Sequence, residues 1–325
     1  MHRSAFLHAA LACAIGGTAM LAAAQSDYPH KPVRLVVPFV PGGVSDTSAR
    51  LVAEHLSRRL GQQVVVDNKP GASGNIGTQL VAQAEPDGYT LLLGFDGTMV
   101  INPHVFEKVP FNTLTDFAPV GKIGDAVLVL VSNPAFAPKT LGEVIAASKS
   151  TPGGLSYGTS GTGGTPHIAG ELLKQRTGAN LTHVPYKGGG QAMTDVLGGQ
   201  IPLVYTAVAG AVGHLKSGKL HAVAVSSRQR AASLPEVPTF AEAGVADFEV
   251  SSWVGLLAPA RTPPAIVDRL NAALNDVLTD REAREKLTVM GISATPGPAA
   301  QFGAELRRDL ERYGGVVKAA GIKPQ

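Results

Sequence analysis

Glycines, hydroxyl residues and a few carboxylates gather at four places in the chain, each where a short apolar run gives way to a polar stretch. The first is Phe39-Val40-Pro41-Gly42-Gly43-Val44-Ser45-Asp46. With no Cβ at Gly42 and Gly43, main-chain N–H groups can turn toward a guest. Ser45 or Asp46 can cap the helix that follows, and free N–H groups at a helix start favour an anion. The second place is Phe95-Asp96-Gly97-Thr98. The third, Thr159-Ser160-Gly161-Thr162-Gly163-Gly164-Thr165-Pro166-His167, mixes hydroxyls with flexible backbone, which suits a carboxylate or a polar neutral group. The fourth, Tyr186-Lys187-Gly188-Gly189-Gly190, offers an apolar wall, a hydroxyl and a cation. Any one of these read alone is equally an ordinary capped turn or a solvated loop. Four of them at strand ends point to capture of a small anion, because ligands settle at the C-terminal ends of strands in open α/β sheets.

Patterns for bond-making chemistry are missing or broken. No Gly-x-Ser-x-Gly nucleophile elbow occurs. Gly161-Thr162-Gly163-Gly164-Thr165-Pro166 lacks the last glycine of a dinucleotide fingerprint. Gly213 to Leu220 comes near a phosphate loop, but Leu220 replaces the magnesium-binding hydroxyl, and the segment follows a helix instead of a strand. His167 and Glu171 share a helix face, yet two ligands make a weak metal site. His183 reads as a structural strand residue, and Asp46, Asp96 and Asp195 stand apart in sequence. The expectation is no catalytic residue, no metal and no cofactor.

The elements that must hold these turns follow from hydrophobic period. Val33–Val37, Val64–Asn68 and Thr90–Gly94 read as strands. They alternate with helices over Ser45–Leu60 and Gly74–Ala84. A second set runs through Val127–Ser132, helix Thr140–Ser150 with Thr140 as N-cap, and Ser156–Gly158. It goes on with helix Thr165–Thr177, Thr182–Val184, a helix from about Gly190, Leu203–Thr206, helix Val208–Ser217 and Leu220–Val225. Strand Trp253–Ala258 and helices Pro264–Leu278, Arg281–Met290 and Pro298–Tyr313 close the chain. Alternation of this kind predicts βαβ units, a mainly parallel sheet and two α/β lobes with a cleft between them. One set ends and the next begins near Gly124. The expected division is a leader over 1–24, a first lobe from 25–125 and 251–325, and a second lobe over 126–250.

Bulk properties narrow the class. The chain has 325 residues, 44% apolar and 16% charged, with 38 glycines and 23 prolines, as an ordered protein rich in shaped turns should. A net charge of +3 and only 5% aromatic residues give no nucleic-acid platform. His2 and Arg3, the small apolar residues that follow, and Ala22-Ala23-Ala24 before Gln25 read as a cleavable secretory signal peptide. The only cysteine, Cys13, lies inside it. It lacks a leucine three residues before it and is followed by more apolar chain, so it reads as part of the leader and not as a lipidated first residue. Nothing later reaches the roughly 18 apolar residues that span a bilayer.

Several longer stretches together resemble the substrate-binding receptors of the tripartite tricarboxylate transporter family, the Bug-type receptors. They are Val36-Val37-Pro38-Phe39 with Gly42-Gly43-x-x-Asp46, Val65-Val66-Asp67-Asn68-Lys69-Pro70-Gly71-Ala72-x-Gly74, Pro86-Asp87-Gly88-Tyr89-Thr90-Leu91 and Asp116-Phe117-Ala118-Pro119-Val120. Further on come His183-Val184-Pro185-Tyr186-Lys187-Gly188, Gly198-Gly199-Gln200-Ile201, Leu234-Pro235-x-Val237-Pro238-Thr239, Glu242-Ala243-Gly244 and Pro259-Ala260-x-Thr262-Pro263. The resemblance implies an α/β fold of the type II periplasmic binding protein class: two lobes, two crossovers and a hinged cleft. It implies a monomeric periplasmic receptor that binds a small organic carboxylate through backbone amides and ordered water. It would hand that solute to the membrane permease subunits of a tripartite transporter, or signal to a sensor kinase; an enzyme on the same scaffold is the remaining alternative. The expected contacts are Phe39, Gly42, Gly43, Ser45, Asp46, Asp96, Gly97, Thr98, Thr159, Ser160, Gly161, Thr165, His167, Tyr186, Lys187 and Gly188. Two departures stand out: Pro202 after Gln200-Ile201, and the acidic Phe95-Asp96-Gly97-Thr98 where the family is often Ser- or His-rich. Asp96 facing the cleft would repel a carboxylate; it can instead receive a ligand amino group, or face away.

Overall fold

A computed structural model describes residues 28–325, apart from 43, 187, 188, 247, 249, 320, 323 and 325. The expected leader, 1–24, lies outside the described residues, as do Gly43, Lys187 and Gly188. Along the chain run β1 (Val33–Val37), α1 (Val44–Leu60), β2 (Val64–Asn68), α2 (Asn75–Ala82) and β3 (Thr90–Phe95). A five-residue π-helical turn, Gly97–Ile101, leads into the short α3 (Asn102–Val105) and then β4 (Phe117–Ser132). Next are α4 (Leu141–Ser150), β5 (Leu155–Thr159), α5 (Thr165–Thr177), β6 (Leu181–Pro185), α6 (Gly189–Leu197), β7 (Leu203–Ala207), α7 (Val208–Lys216) and β8 (His221–Val225). The chain ends with β9 (Ser251–Pro259), α8 (Pro264–Thr279), α9 (Arg281–Val289), β10 (Ile292–Ala294) and α10 (Ala299–Ala319).

The strands join in the order β2-β1-β3-β9-β4-β7-β5-β6, with β8 and β10 also on β4. Parallel pairing holds within each half, β1 with β2 and β3, and β5 with β6 and β7. The middle is antiparallel, because β9 runs against both β3 and β4, and β4 runs against β7 and β8. The sheet is therefore mixed, in place of the mainly parallel one that alternation predicts: β4 and β9, the strands that cross between lobes, each keep the direction of the lobe they leave and so run against the strands of the lobe they enter. β4 makes one crossing within a single strand. Its first part, Phe117 to Val127, pairs with β9, and Leu128 to Ser132 pair with β7 and β8.

Side chains alternate between faces along each strand. Leu91 and Leu93 enter a core with Leu35, Leu56, Leu256 and Leu270, while Leu92 enters another with Met99, Trp253, Phe302 and Tyr313. In the second lobe, Leu128 and Leu130 pack with Tyr157, Tyr205 and Phe240, whereas Val129 and Val131 face Val196, Val204 and Val225. Strands apolar on both faces need helices on both sides, and the helices supply them. The start of α4 follows ordinary capping chemistry. Thr140 Oγ1 accepts the Glu143 N–H, and Glu143 accepts the Thr140 N–H in return, completing a capping box before α4.

The return crossing is clasped by Ser226, which is fully buried. Its N–H donates to Leu128 O (3.0 Å), its Oγ donates to Val250 O (2.5 Å), and its carbonyl accepts the Val250 N–H (3.1 Å). One residue thus ties the turning point of β4 to the entry of β9. Among the described residues, no helix is long and apolar enough to cross a membrane.

Candidate functional site

On the first-lobe side, β1 ends at Val37 and a turn carries the chain into α1. Gly42 takes φ +88°, and its N–H donates to Asp46 Oδ2 at 2.9 Å. Asp46 is buried in the first turn of α1, where it also accepts Asn68 Nδ2 (2.9 Å) and pairs with Arg50 (3.0 Å). Burial pushes its carboxyl up, but the Arg50 bond, the Gly42 N–H and Asn68 outweigh that and hold it below the usual carboxylate range. Asn68 Nδ2 reaches Phe39 O as well (3.0 Å), so Asp46 and Asn68 together set the path of the turn. The Phe39 ring stands edge-on to Phe95, centroids 5.7 Å apart. Ser45 is half-buried, and its carbonyl accepts Ser48 Oγ (3.1 Å).

Beside this turn lies a loop that the sequence alone does not assign to the site. Ala72 and Ser73 adopt φ of 47° and 54°, a left-handed region that non-glycine residues rarely enter, just ahead of α2. The loop is held in place from the π-helical turn: Thr98 Oγ1 donates to Ser73 O (2.9 Å), and Asn102 Nδ2 donates to Ser73 O (3.0 Å) and Asn75 Oδ1 (2.7 Å). A Cβ on Gly74 would lie 2.5 Å from Thr98 Oγ1 and 3.4 Å from Phe39 Cζ, so Phe39, Gly74 and Thr98 converge. Gly97 is buried at the start of the turn. The available signal is Gly71-Ala72-x-Gly74, another glycine-rich passage from strand to helix.

The second-lobe side is built at the ends of β5 and β6. Thr159 Oγ1 meets His183 Nε2 at 2.7 Å and donates to Gly161 O at 2.9 Å. With the hydroxyl proton committed to Gly161, His183 is the donor of the other bond. The Tyr186 N–H donates to Thr159 O (3.1 Å), and Tyr186 O lies 3.6 Å from where a Cβ on Gly161 would sit. Ser160 is exposed, and a Cβ on Gly189 would approach its Cβ to 4.0 Å. The Tyr186 hydroxyl donates to Asp195 Oδ2 (2.7 Å); burial and that carboxylate push its pKa up to about 12. His167 and His183 stack with centroids 3.9 Å apart. The Gly163 N–H donates to His167 Nδ1 (3.1 Å), which fixes an unprotonated Nδ1. Burial lowers both imidazoles, His183 to about 3 with His167 and Lys174 adding to the effect, so the pair is neutral near pH 7.

The two sides meet directly. Asp96, fully buried after β3, accepts Thr165 Oγ1 from the start of α5 (2.5 Å) and Ser252 Oγ from β9 (2.6 Å). Burial pushes its carboxyl up to about 7, against the opposing pull of the Ser252 and Thr165 hydroxyls and the Gly97 N–H, while Asp309 raises it further. Nearby, a Cβ on Gly163 would come within 2.8 Å of Val105 Cγ2, so only glycine allows this approach of the lobes. Ile168 of α5 packs in the same apolar cluster as Trp253 and Tyr313.

The structure thus brings Phe39 and Thr98 together on one side and Thr159, Ser160, Gly161 and Tyr186 on the other. Asp46, Asp96, Thr165 and His167 are present in the same region, but each side chain is engaged within the protein. The Thr98, Thr159 and Tyr186 hydroxyls are bonded within the protein as well, so what these loops expose is the Gly42 backbone, the Ser160 side chain and the half-buried Phe39 and Tyr186. Among the described residues, no group of three or more His, Cys, Asp or Glu is placed to hold a metal ion.

Comparison with known proteins places the chain among solute receptors of one family. Residues 48–322 match the family described as the tripartite tricarboxylate transporter family receptor. The chain is 37% identical over 300 residues to protein BugT of Bordetella pertussis, covering 91% of each. It superposes on an R. palustris protein solved with adipate at TM-score 0.85 and 34% identity, covering 92% of this chain and 100% of that one. MatC of Rhodopseudomonas palustris with bound malate gives TM-score 0.80 at 32% identity, covering 89% and 100%.

Proposed function

The chain belongs to the tripartite tricarboxylate transporter receptor family, and from that premise we propose that it is a periplasmic receptor for a small organic carboxylate, delivered to the membrane subunits of a tripartite transporter. The observation that carries the reading is the meeting of glycine-rich strand-end loops from both lobes at one junction, where nearby carboxylates and imidazoles already have partners. A carboxylate bound there would meet loop backbone and hydroxyl groups, while the nearby carboxylates are turned to partners of their own. Phe39, Gly42, Gly74 and Thr98 would form one wall, and Thr159 to Gly161 with Tyr186 the other. Adipate and malate in the solved relatives make short dicarboxylates the first class to try. A ligand touching both walls favours the closed arrangement, because only there does it gain both sets of contacts.

The test is a thermal-shift screen of purified protein against adipate, malate and a panel of mono-, di- and tricarboxylates and amino acids. A ligand at a hundred times its Kd adds about 2.7 kcal/mol of stability, so at least one acid should raise Tm by several degrees. A flat response across the panel would remove carboxylate capture. The periplasmic placement has its own check. Secreted protein should begin at Gln25 by mass spectrometry, and an intact Met1 start in that fraction would contradict the leader.

A further inference from the structure

At Asp96 a polar side chain of one lobe grips the other. The carboxyl is wholly buried and lies just past the end of β3, in the first lobe. Thr165 lies 69 residues on, at the first position of α5 in the second lobe, and is equally buried. Ser252, the other hydroxyl on Asp96, sits on β9 within the sheet of the first lobe, opposite Ala126. So the Ser252 bond survives any separation of the lobes, whereas the Thr165 bond is made only while they are together. The two lobes also pack against each other beside it, Gly163 on Val105 and Ile168 against Trp253 and Tyr313. A carboxyl this deeply buried costs free energy unless its hydrogen bonds are made, which makes its partner at the lobe boundary decisive.

We infer that Asp96 and Thr165 form a latch between the lobes, a positioning pair that sets how often the protein is closed and thereby how tightly it holds its solute without touching that solute. The inference rests on reading the two lobes as a receptor that opens and closes. It assigns Asp96 a role that needs no ligand amino group, and it explains how an acidic residue can stand in an anion receptor: its charge is turned into the lobe boundary. Losing the bond frees the open form. Since affinity scales with the fraction of protein already in the competent state, binding weakens by the factor by which the closed fraction falls.

The test needs no ligand in its first arm. Dyes on Glu54→Cys and Ser150→Cys, exposed positions on α1 and α4, report interlobe distance in an otherwise wild-type chain. Thr165→Val keeps the side-chain shape and removes the hydroxyl; Thr165→Ser restores it. The expected result is a shift of the closed-to-open ratio toward open by about tenfold in Thr165→Val, the size of one hydrogen bond to a charged acceptor, with Thr165→Ser close to wild type. Distance distributions that coincide for all three would overturn the latch. Should Thr165→Val fail to fold, Asp96→Ala removes the same bond from the other side and is read against the same two outcomes. In the second arm, adipate and malate are titrated into wild type and Thr165→Val. A Kd raised in step with the distance shift supports the latch. A raised Kd with no distance shift would mean that the hydroxyl contacts the ligand, and would overturn it. If neither acid binds wild type, the functional reading loses support while the first arm still decides the latch.

Discussion

Replacing Trp253 with alanine should cost about 3 to 5 kcal/mol of folding stability, the range for deleting a large aromatic from a close-packed core. Trp253 is 1% exposed and lies on β9, the strand between β3 and β4. Its ring stands perpendicular to Phe302 with centroids 5.1 Å apart, and its Nε1 donates to Asp309 Oδ2 at 3.0 Å. The loss has two parts that a second variant separates. Trp253→Phe keeps an aromatic body but leaves the Asp309 carboxyl, already raised by burial, without its indole donor. Losing one part-buried hydrogen bond costs about 0.5 to 1.5 kcal/mol, so Trp253→Phe should fall between wild type and Trp253→Ala. Chemical denaturation followed by far-ultraviolet circular dichroism, which does not depend on the indole, measures all three. A Trp253→Ala loss below about 1 kcal/mol would mean that this core is not built as described. Because Ile168 of the second lobe packs in the same cluster, the alanine variant should also loosen the lobe boundary.

Acid should destabilise the protein through the stacked imidazoles before ordinary carboxylates titrate. His183 is lowered to about 3 from 6.5, chiefly by burial, and His167 shifts the same way. A group whose folded value is depressed contributes stability above its unfolded value, here 6.5, and loses it as pH falls toward the folded value. Each pH unit in that window is worth at most about 1.4 kcal/mol per group. Allowing for the partial exposure of His183, its share at pH 5 is about 1 to 2 kcal/mol. Asp96, pushed up to about 7, acts in the opposite sense over much of the same range. The decisive quantity is therefore the difference between wild type and His183→Gln, which keeps a polar side chain but has no proton to gain. That difference should move in favour of the glutamine variant by about 1 to 2 kcal/mol between about pH 7.5 and pH 5. Stability curves that stay parallel across that interval would show that the imidazole titrates freely in the folded protein.

Local patterning makes the alternating elements of both lobes readable. Thr140 announces α4, and the capping box with Glu143 is there. The start of β4 is not readable: hydrophobic period places it at Val127, and the strand begins at Phe117. Pro119, Gly121 and Gly124 break the alternation in this stretch, and the register with β9 slips between Pro119 and Gly121 and again between Lys122 and Gly124. Bulges remove the period-two signal on which strand recognition depends. The last helix errs in the other sense. The pair Gly314-Gly315 suggests a stop at Tyr313, yet α10 runs on to Ala319. Gly314 serves packing and not termination: a Cβ there would meet the His104 ring at 2.8 Å.

The candidate site divides in the same way. Loop positions are legible, because glycine between a strand and a helix is a local signal. The allegiance of each side chain is not. Asp46 turns back on Arg50 and Asn68, and Asp96 turns to Thr165 and Ser252. Those partners lie from 4 to 156 residues away, and nothing in the spacing of a loop tells which distant hydroxyl will reach it.

The place of β9 in the sheet bears on how the molecule assembles. It fills the gap between β3 and β4, so the first lobe has no complete sheet until residues 251–259 have been made. Pairings this far apart in sequence form slowly, since a long loop must close before any contact rewards it. The second lobe, whose strands β5 to β8 follow one another closely, carries no such delay. A nascent chain therefore keeps its N-terminal third unfinished until most of it has emerged, which suits a polypeptide that, under the export proposed above, threads a translocation channel before it folds.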